Sequence, residues 1–95
     1  MKFVRWSRAA QTDLASIDEY YRDLDPAHSL EIGQKAIAAG RFLATYPEAG
    51  RQVSDRDIRK WGVRGTPYQL FYRLDGDVLR ILRLMHGARD WTNEL

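Results

Sequence analysis

Apolar positions in the first half of the chain recur at helical spacing, and those in the last third alternate as strands do. Ala10, Leu14, Ile17, Tyr21 and Leu24 follow one another at steps of four, three, four and three, which places them on one stripe of an α-helix starting near Arg8. Asp13, Asp18, Glu19, Arg22 and Asp23 fill its other faces. Ahead of this helix, Lys2-Phe3-Val4-Arg5-Trp6 is β-prone and stops at Ser7, a residue suited to cap a helix N-terminus. Asp25-Pro26 ends the first helix and opens a second, because proline suits a first helical turn and aspartate caps the amides ahead of it. The second helix is predicted over residues 26–46, with Leu30, Ile37 and Ala44 on one stripe and Ile32, Ala36, Ala39 and Leu43 beside it. Gly33 and Gly40 share a face, and two glycines in a helix interior point to a close approach of the first helix there.

Tyr46-Pro47 stops the second helix, and residues 47–51 make a turn-rich crossing. Three strands are predicted beyond it, over residues 58–63, 68–74 and 78–86. In the second of these, Tyr68, Leu70, Tyr72 and Leu74 alternate onto one face. The last should carry Val78, Leu82 and Leu84 on one face and Leu79, Ile81 and Met85 on the other. Asp75-Gly76 between them suits the positive φ angles of a type I′ hairpin turn. The pattern therefore predicts one α+β domain over residues 1–95, ordered β-α-α-β-β-β, with a helical hairpin packed on an antiparallel sheet. Leu14, Ile17, Tyr21, Ile37, Leu43, Leu70, Tyr72, Leu82 and Leu84 are expected in its core.

Composition narrows the function classes. Hydrophobic content of 44% with 29% charged residues lies far from the disordered regime. No apolar run is long enough for a signal peptide or a membrane span, so a cytoplasmic location and no membrane partner are expected. The chain has no cysteine and only two histidines, which removes disulfides, thiolate metal sites and a cysteine nucleophile, and no metal or cofactor is expected. Residues 1–50 hold six Lys or Arg against seven Asp or Glu, whereas residues 51–95 hold nine against six. Twelve of the fifteen basic residues are arginine, whose planar fork matches carboxylate and phosphate, so the second half leans toward an acidic partner.

Candidate chemistry is sparse. The glycines lack phosphate-loop spacing, Ser7 reads as a cap, and no carboxylate pair stands out. What remains is Arg83, His86, Arg89, Asp90 and Trp91 at the end of the last strand. A histidine beside arginines can act as general acid or base in phosphodiester cleavage while the arginines stabilise phosphate charge. A plainer reading has His86 hydrogen-bonded to backbone, Arg89 paired with Asp90, and Trp91 plugging the end of the core. Arg51, Arg59, Lys60 and Arg64 form a second basic group, but strand geometry sends Arg59 and Lys60 to opposite faces.

Several local patterns, taken in order, resemble the ParE/RelE superfamily of toxins from toxin-antitoxin operons over nearly the whole chain. They are Trp6-Ser7-Arg8-Ala9-Ala10 with Asp13-Leu14, Ile17 and Tyr20-Tyr21; Tyr46-Pro47-Glu48-Ala49-Gly50-Arg51; Pro67-Tyr68-Gln69-Leu70-Phe71-Tyr72-Arg73; and His86-Gly87-Ala88-Arg89-Asp90-Trp91. The closing segment resembles the ParE branch more than the RelE branch. The resemblance implies a ParE-like gyrase inhibitor with no catalytic residue, its target surface including Arg83, His86, Arg89 and Trp91. The alternative it implies is a RelE-like, ribosome-dependent mRNA endoribonuclease using His86, Arg83 and Arg89. Dense Lys and Arg pairing typical of RelE is missing from the middle strands, where only Lys60 adjoins Arg59. Either branch implies a cognate antitoxin whose disordered C-terminal segment folds onto the toxin, with operator DNA bound only through the antitoxin. Acidic antitoxin side chains are expected to meet the Arg-rich second half, with Arg59, Arg73 and Arg80 as their candidate partners.

Overall fold

A computed structural model describes residues 1–89 together with Trp91 and Leu95. Along the chain run β1 (Phe3–Trp6), α1 (Arg8–Arg22), α2 (Pro26–Thr45), β2 (Arg51–Gln52), β3 (Arg59–Gly62), β4 (Tyr68–Asp75) and β5 (Val78–His86). Both helices begin where their caps dictate. The Ser7 hydroxyl accepts the Ala10 amide at 3.0 Å and donates to the Leu82 carbonyl at 2.8 Å, so the cap also pins α1 to β5. The Asp25 carboxylate accepts the His28 amide at 3.1 Å, with Pro26 at the first helical position.

The five strands form one sheet in the order β1-β5-β4-β3-β2. The expected β-α-α-β-β-β order is present, with one addition and one altered pairing. Strand β2, only two residues long, precedes β3 and pairs with it antiparallel. That extra reversal brings β5 back alongside β1 in the parallel sense, so the sheet is mixed rather than wholly antiparallel. The β4–β5 hairpin turns at Gly76-Asp77, one residue later than expected. Asp75 pairs with Val78, and of the two central residues only Gly76 has a positive φ, at 58°. That is the signature of a type II′ turn rather than type I′.

The main core lies between the helices and the sheet. It contains Ile32, Ala36 and Leu43 of α2, Ala10 and Ile17 of α1, Leu70 and Tyr72 of β4, and Leu79, Ile81 and Leu84 of β5. Leu14 and Tyr21 pack against it, half-buried. Two expected core members are elsewhere. Ile37 is 44% exposed, because α2 turns the Ile32–Ala36–Leu43 stripe to the sheet and leaves the Leu30–Ile37 stripe outward. Leu82 lies on the opposite sheet face, in a small cluster with Ile58, Phe71, Met85 and Trp91. A register shift explains it: Tyr72 pairs with Ile81 and Phe71 with Arg83, leaving Leu82 as the extra residue. The side-chain phase of β5 therefore inverts beyond that point, which gathers Leu84 with Leu79 and Ile81 and sends Met85 away from them.

The glycines of α2 also differ from expectation. A Cβ at Gly40 would come within 3.1 Å of Ile81 and 3.6 Å of Val4, so the close approach is to the sheet and not to α1. At Gly33 there is open space. Gly50 has a firmer reason. Its amide donates to the Tyr72 hydroxyl at 2.9 Å, that hydroxyl donates to the Pro47 carbonyl at 2.7 Å, and a Cβ would lie 2.5 Å from the same oxygen.

Candidate functional site

Three surfaces carry the candidate residues: the cleft where α1 meets the end of β5, the outer groove of the helical hairpin, and the sheet face turned away from the helices. The first is organised by a side chain that patterning alone sends to solvent. Asp13, in the middle of α1, turns inward and accepts Arg83 Nε at 2.7 Å and Arg83 Nη2 at 2.8 Å. It also accepts the Leu84 amide at 3.0 Å. The two side chains keep only 11% and 16% of their surface, so the bidentate pair is largely desolvated. It ties α1 to β5 just past the bulge, and Arg83 is thereby committed to a carboxylate.

Beyond this clamp lies a cleft of about 220 Å³ lined by Asp13, Ser16, Tyr20, Tyr68, His86 and Arg89 among others. His86 is exposed; its Nδ1 accepts the Ala88 amide at 3.1 Å, and its ring meets Tyr68 edge to face with centroids 5.6 Å apart. Nδ1 as acceptor fixes the neutral ring as the Nε2–H tautomer. Burial, with a hydrogen bond to Tyr21, pushes the Tyr68 hydroxyl up to about 12. Arg89 is exposed at the cleft rim. Its expected pairing with Asp90 lies outside the described residues. Trp91 does not close the end of the main core. It packs on Phe71 with centroids 5.5 Å apart, on the opposite sheet face. The structure thus gathers His86 and Arg89 at one cleft, with Arg83 held beneath it and Trp91 turned away.

Arg59, Arg73 and Arg80 also separate. Arg59 sits in register with Tyr72 and donates to the carbonyls of Gly50 at 2.7 Å and Glu48 at 3.2 Å, which anchors the turn after α2. Arg73 and Arg80 face each other across β4 and β5 on the outer sheet face and share one oxygen of Asp75, at 3.3 Å and 2.7 Å. They hold the Asp75 carboxyl below its usual range, Arg73 contributing most. Sequence reasoning passed over Arg5, which is in register with Arg80 and extends the same row onto β1. The signal was present: Val4 and Trp6 pack inward, so the residue between them must face out.

Placing Ile37 in the core hid the groove of the helical hairpin. Leu30 is 63% exposed, and with Ile37, Leu14 and Trp6 it lines an apolar cleft of about 670 Å³ between α1 and α2. Among the described residues no three His, Asp or Glu side chains gather as a metal ion would require. No helix among them is long and apolar enough to cross a membrane.

Comparison with known proteins agrees with this geometry. The family described as the ParE toxin of the type II toxin-antitoxin system, parDE, matches residues 4–91. Among solved structures, the chromosomal ParDE toxin-antitoxin system of P. aeruginosa superposes with a TM-score of 0.79 at 26% identity, covering 90% of this chain and 96% of that one. The toxin-antitoxin complex RelBE2 of Mycobacterium tuberculosis superposes at 0.60 with 23% identity and the same coverage, a likeness of fold alone. No curated protein matches the chain.

Proposed function

The chain belongs to the ParE toxin family of type II toxin-antitoxin systems, and on that premise we propose that it acts in the cytoplasm by inhibiting DNA gyrase and is neutralised by a cognate antitoxin. The observation that carries the choice of gyrase over messenger RNA is the Asp13–Arg83 pair. A ribonuclease needs cationic side chains presented to the scissile phosphate, beside a group that moves protons. Here Arg83, one of the two arginines three residues from His86, is bound bidentately by a carboxylate, and His86 Nδ1 is occupied by a backbone amide. Such an arrangement suits recognition better than proton transfer. The target surface is then His86 and Arg89 at the cleft together with Trp91 on the opposite sheet face, and Arg83 positions the strand end that carries them.

The antitoxin has two complementary footholds. Its apolar anchors fit the α1–α2 groove at Leu30 and Ile37, and its acidic side chains meet Arg73 and Arg80, whereas Arg59 is committed to the turn after α2. A supercoiling assay with purified gyrase tests the reading. Inhibition that rises with the protein and is reversed by one equivalent of the antitoxin encoded beside it is the expected result. Uninhibited supercoiling at micromolar protein would refute the gyrase assignment.

A further inference from the structure

The sheet face away from the helices carries one basic residue on each of its five strands. Arg5, Arg80 and Arg73 stand in register across β1, β5 and β4. Lys60 pairs with Phe71, two residues along β4 from Arg73, and Arg51 pairs with Lys60, which continues the line across β3 and β2. Arg5, Arg73 and Arg80 point the same way, because their neighbours Val4, Trp6, Leu79, Ile81, Tyr72 and Leu74 belong to or pack on the helix-side core; Lys60, beside Trp61 of that core and in register with Phe71 and Arg51, carries the same face across β3 and β2. At ordinary strand spacing the track is ~19 Å wide. Asp75 is the one strand carboxylate on this face, and it already serves both Arg73 and Arg80. Arg73 Nε is buried with no hydrogen-bond partner, and Arg5 has no carboxylate within ion-pair distance among the described residues.

We propose that this track binds the phosphate backbone of duplex DNA, so that the chain touches DNA itself, apart from the gyrase reading and in competition with the antitoxin's acidic side chains at Arg73 and Arg80. The surface offers charge without shape. Clefts of about 700, 670 and 580 Å³ lie elsewhere, and none is lined by any of the five residues. A peptide partner draws affinity from apolar anchors in pockets, which this molecule provides at the hairpin groove and not along the track. A polyelectrolyte draws it from neutralised phosphates and released counterions, for which a flat row of arginines suffices. The width also agrees: one strand of duplex carries a phosphate every ~3.4 Å of axis, so ~19 Å spans five or six of them. Single strands gain most from exposed aromatic platforms, and here Phe71 is buried with Trp91 packed over it.

Fluorescence anisotropy of the full chain with a labelled 20-base-pair duplex, across 50–200 mM KCl, tests the proposal. Five neutralised phosphates give a slope of log K against log salt of about −4.5, or a loss of roughly 500-fold over that range. Arg5→Gln and Arg51→Gln should each reduce the slope by about 0.9. Asp75→Asn, which removes the competing carboxylate, should tighten binding several-fold, and Arg41→Gln on α2 should change nothing. Far-UV circular dichroism confirms that each variant is folded. A slope indifferent to the track substitutions overturns the proposal, as does tighter binding of polyglutamate or of a single-stranded 20-mer. Duplex binding by a protein that leaves gyrase untouched would uphold the track and remove the gyrase reading; gyrase inhibition without duplex binding would do the reverse.

Discussion

Replacing Asp13 by alanine removes three acceptor contacts at once: Arg83 Nε at 2.7 Å, Arg83 Nη2 at 2.8 Å and the Leu84 amide at 3.0 Å. Truncating one member of a buried ion pair strands its partner and costs roughly 3 to 5 kcal/mol. Here the two side chains retain 11% and 16% exposure, so water recovers part of that loss. A destabilisation of about 2 to 4 kcal/mol follows, and at roughly 4 to 8 °C per kcal/mol for a domain of this size the melting temperature should fall by about 8 to 30 °C. Asp13→Asn, which keeps an acceptor for the Leu84 amide, should lose less. Because an apolar pair of similar volume is often neutral where a buried ion pair stood, Asp13→Leu with Arg83→Met should recover much of the stability lost by either change alone. Urea unfolding followed by circular dichroism measures the parent, the four single variants and the double variant. A loss below ~0.5 kcal/mol for Asp13→Ala, or strict additivity in the double variant, would show that the clamp does not hold α1 to β5.

Other outcomes follow from the bulge, from a buried hydroxyl and from the tail. Leu79→Ala, at a fully buried position, should destabilise by roughly 2 to 5 kcal/mol, whereas Leu82→Ala on the other face should lose only about 1; equal losses would contradict the phase inversion. Tyr68, pushed up to about 12 from 10.0, favours its neutral form in the fold, so its contribution is complete below pH 10 and lost as pH rises toward 12. Tyr68→Phe should flatten that decline in an alkaline unfolding series, and an unchanged decline would exclude Tyr68 as its source. Deleting the chain from Ala88 should abolish gyrase inhibition in a supercoiling assay while residues 1–87 stay folded; retained inhibition would move the target surface away from the tail.

The helices and the β4–β5 hairpin were legible because their signals are local: Ser7, Asp25-Pro26 and the alternation of residues 68–74 each act within a few residues. What was not legible depends on partners distant in sequence. Asp13 occupies a helix position that solvent can claim equally well, and only Arg83, seventy residues on, turns it inward. Strict alternation assigns Leu82 and Leu84 to one face, and nothing in residues 78–86 announces the extra residue that separates them. Strand β2 is too short to show a period, so the parallel pairing of β1 with β5 was missed with it. His86 and Arg89, grouped by residue type and proximity in sequence, do line one cleft, because three residues at a strand end keep them close. Arg5 escaped because its row forms only when β1 joins the sheet beside β5.

The choice between gyrase and messenger RNA is tested most directly by His86→Ala, measured in parallel on gyrase supercoiling and on ribosome-programmed mRNA cleavage. The substitution removes a proton carrier at an exposed position. Surface recognition of gyrase predicts inhibition within about tenfold of the parent protein, equivalent to about 1.4 kcal/mol, with no cleavage by either protein. Ribosome-dependent cleavage by the parent that falls ~10² to 10⁴-fold in the variant, from a protein without effect on supercoiling, would contradict the account and place the chemistry at His86.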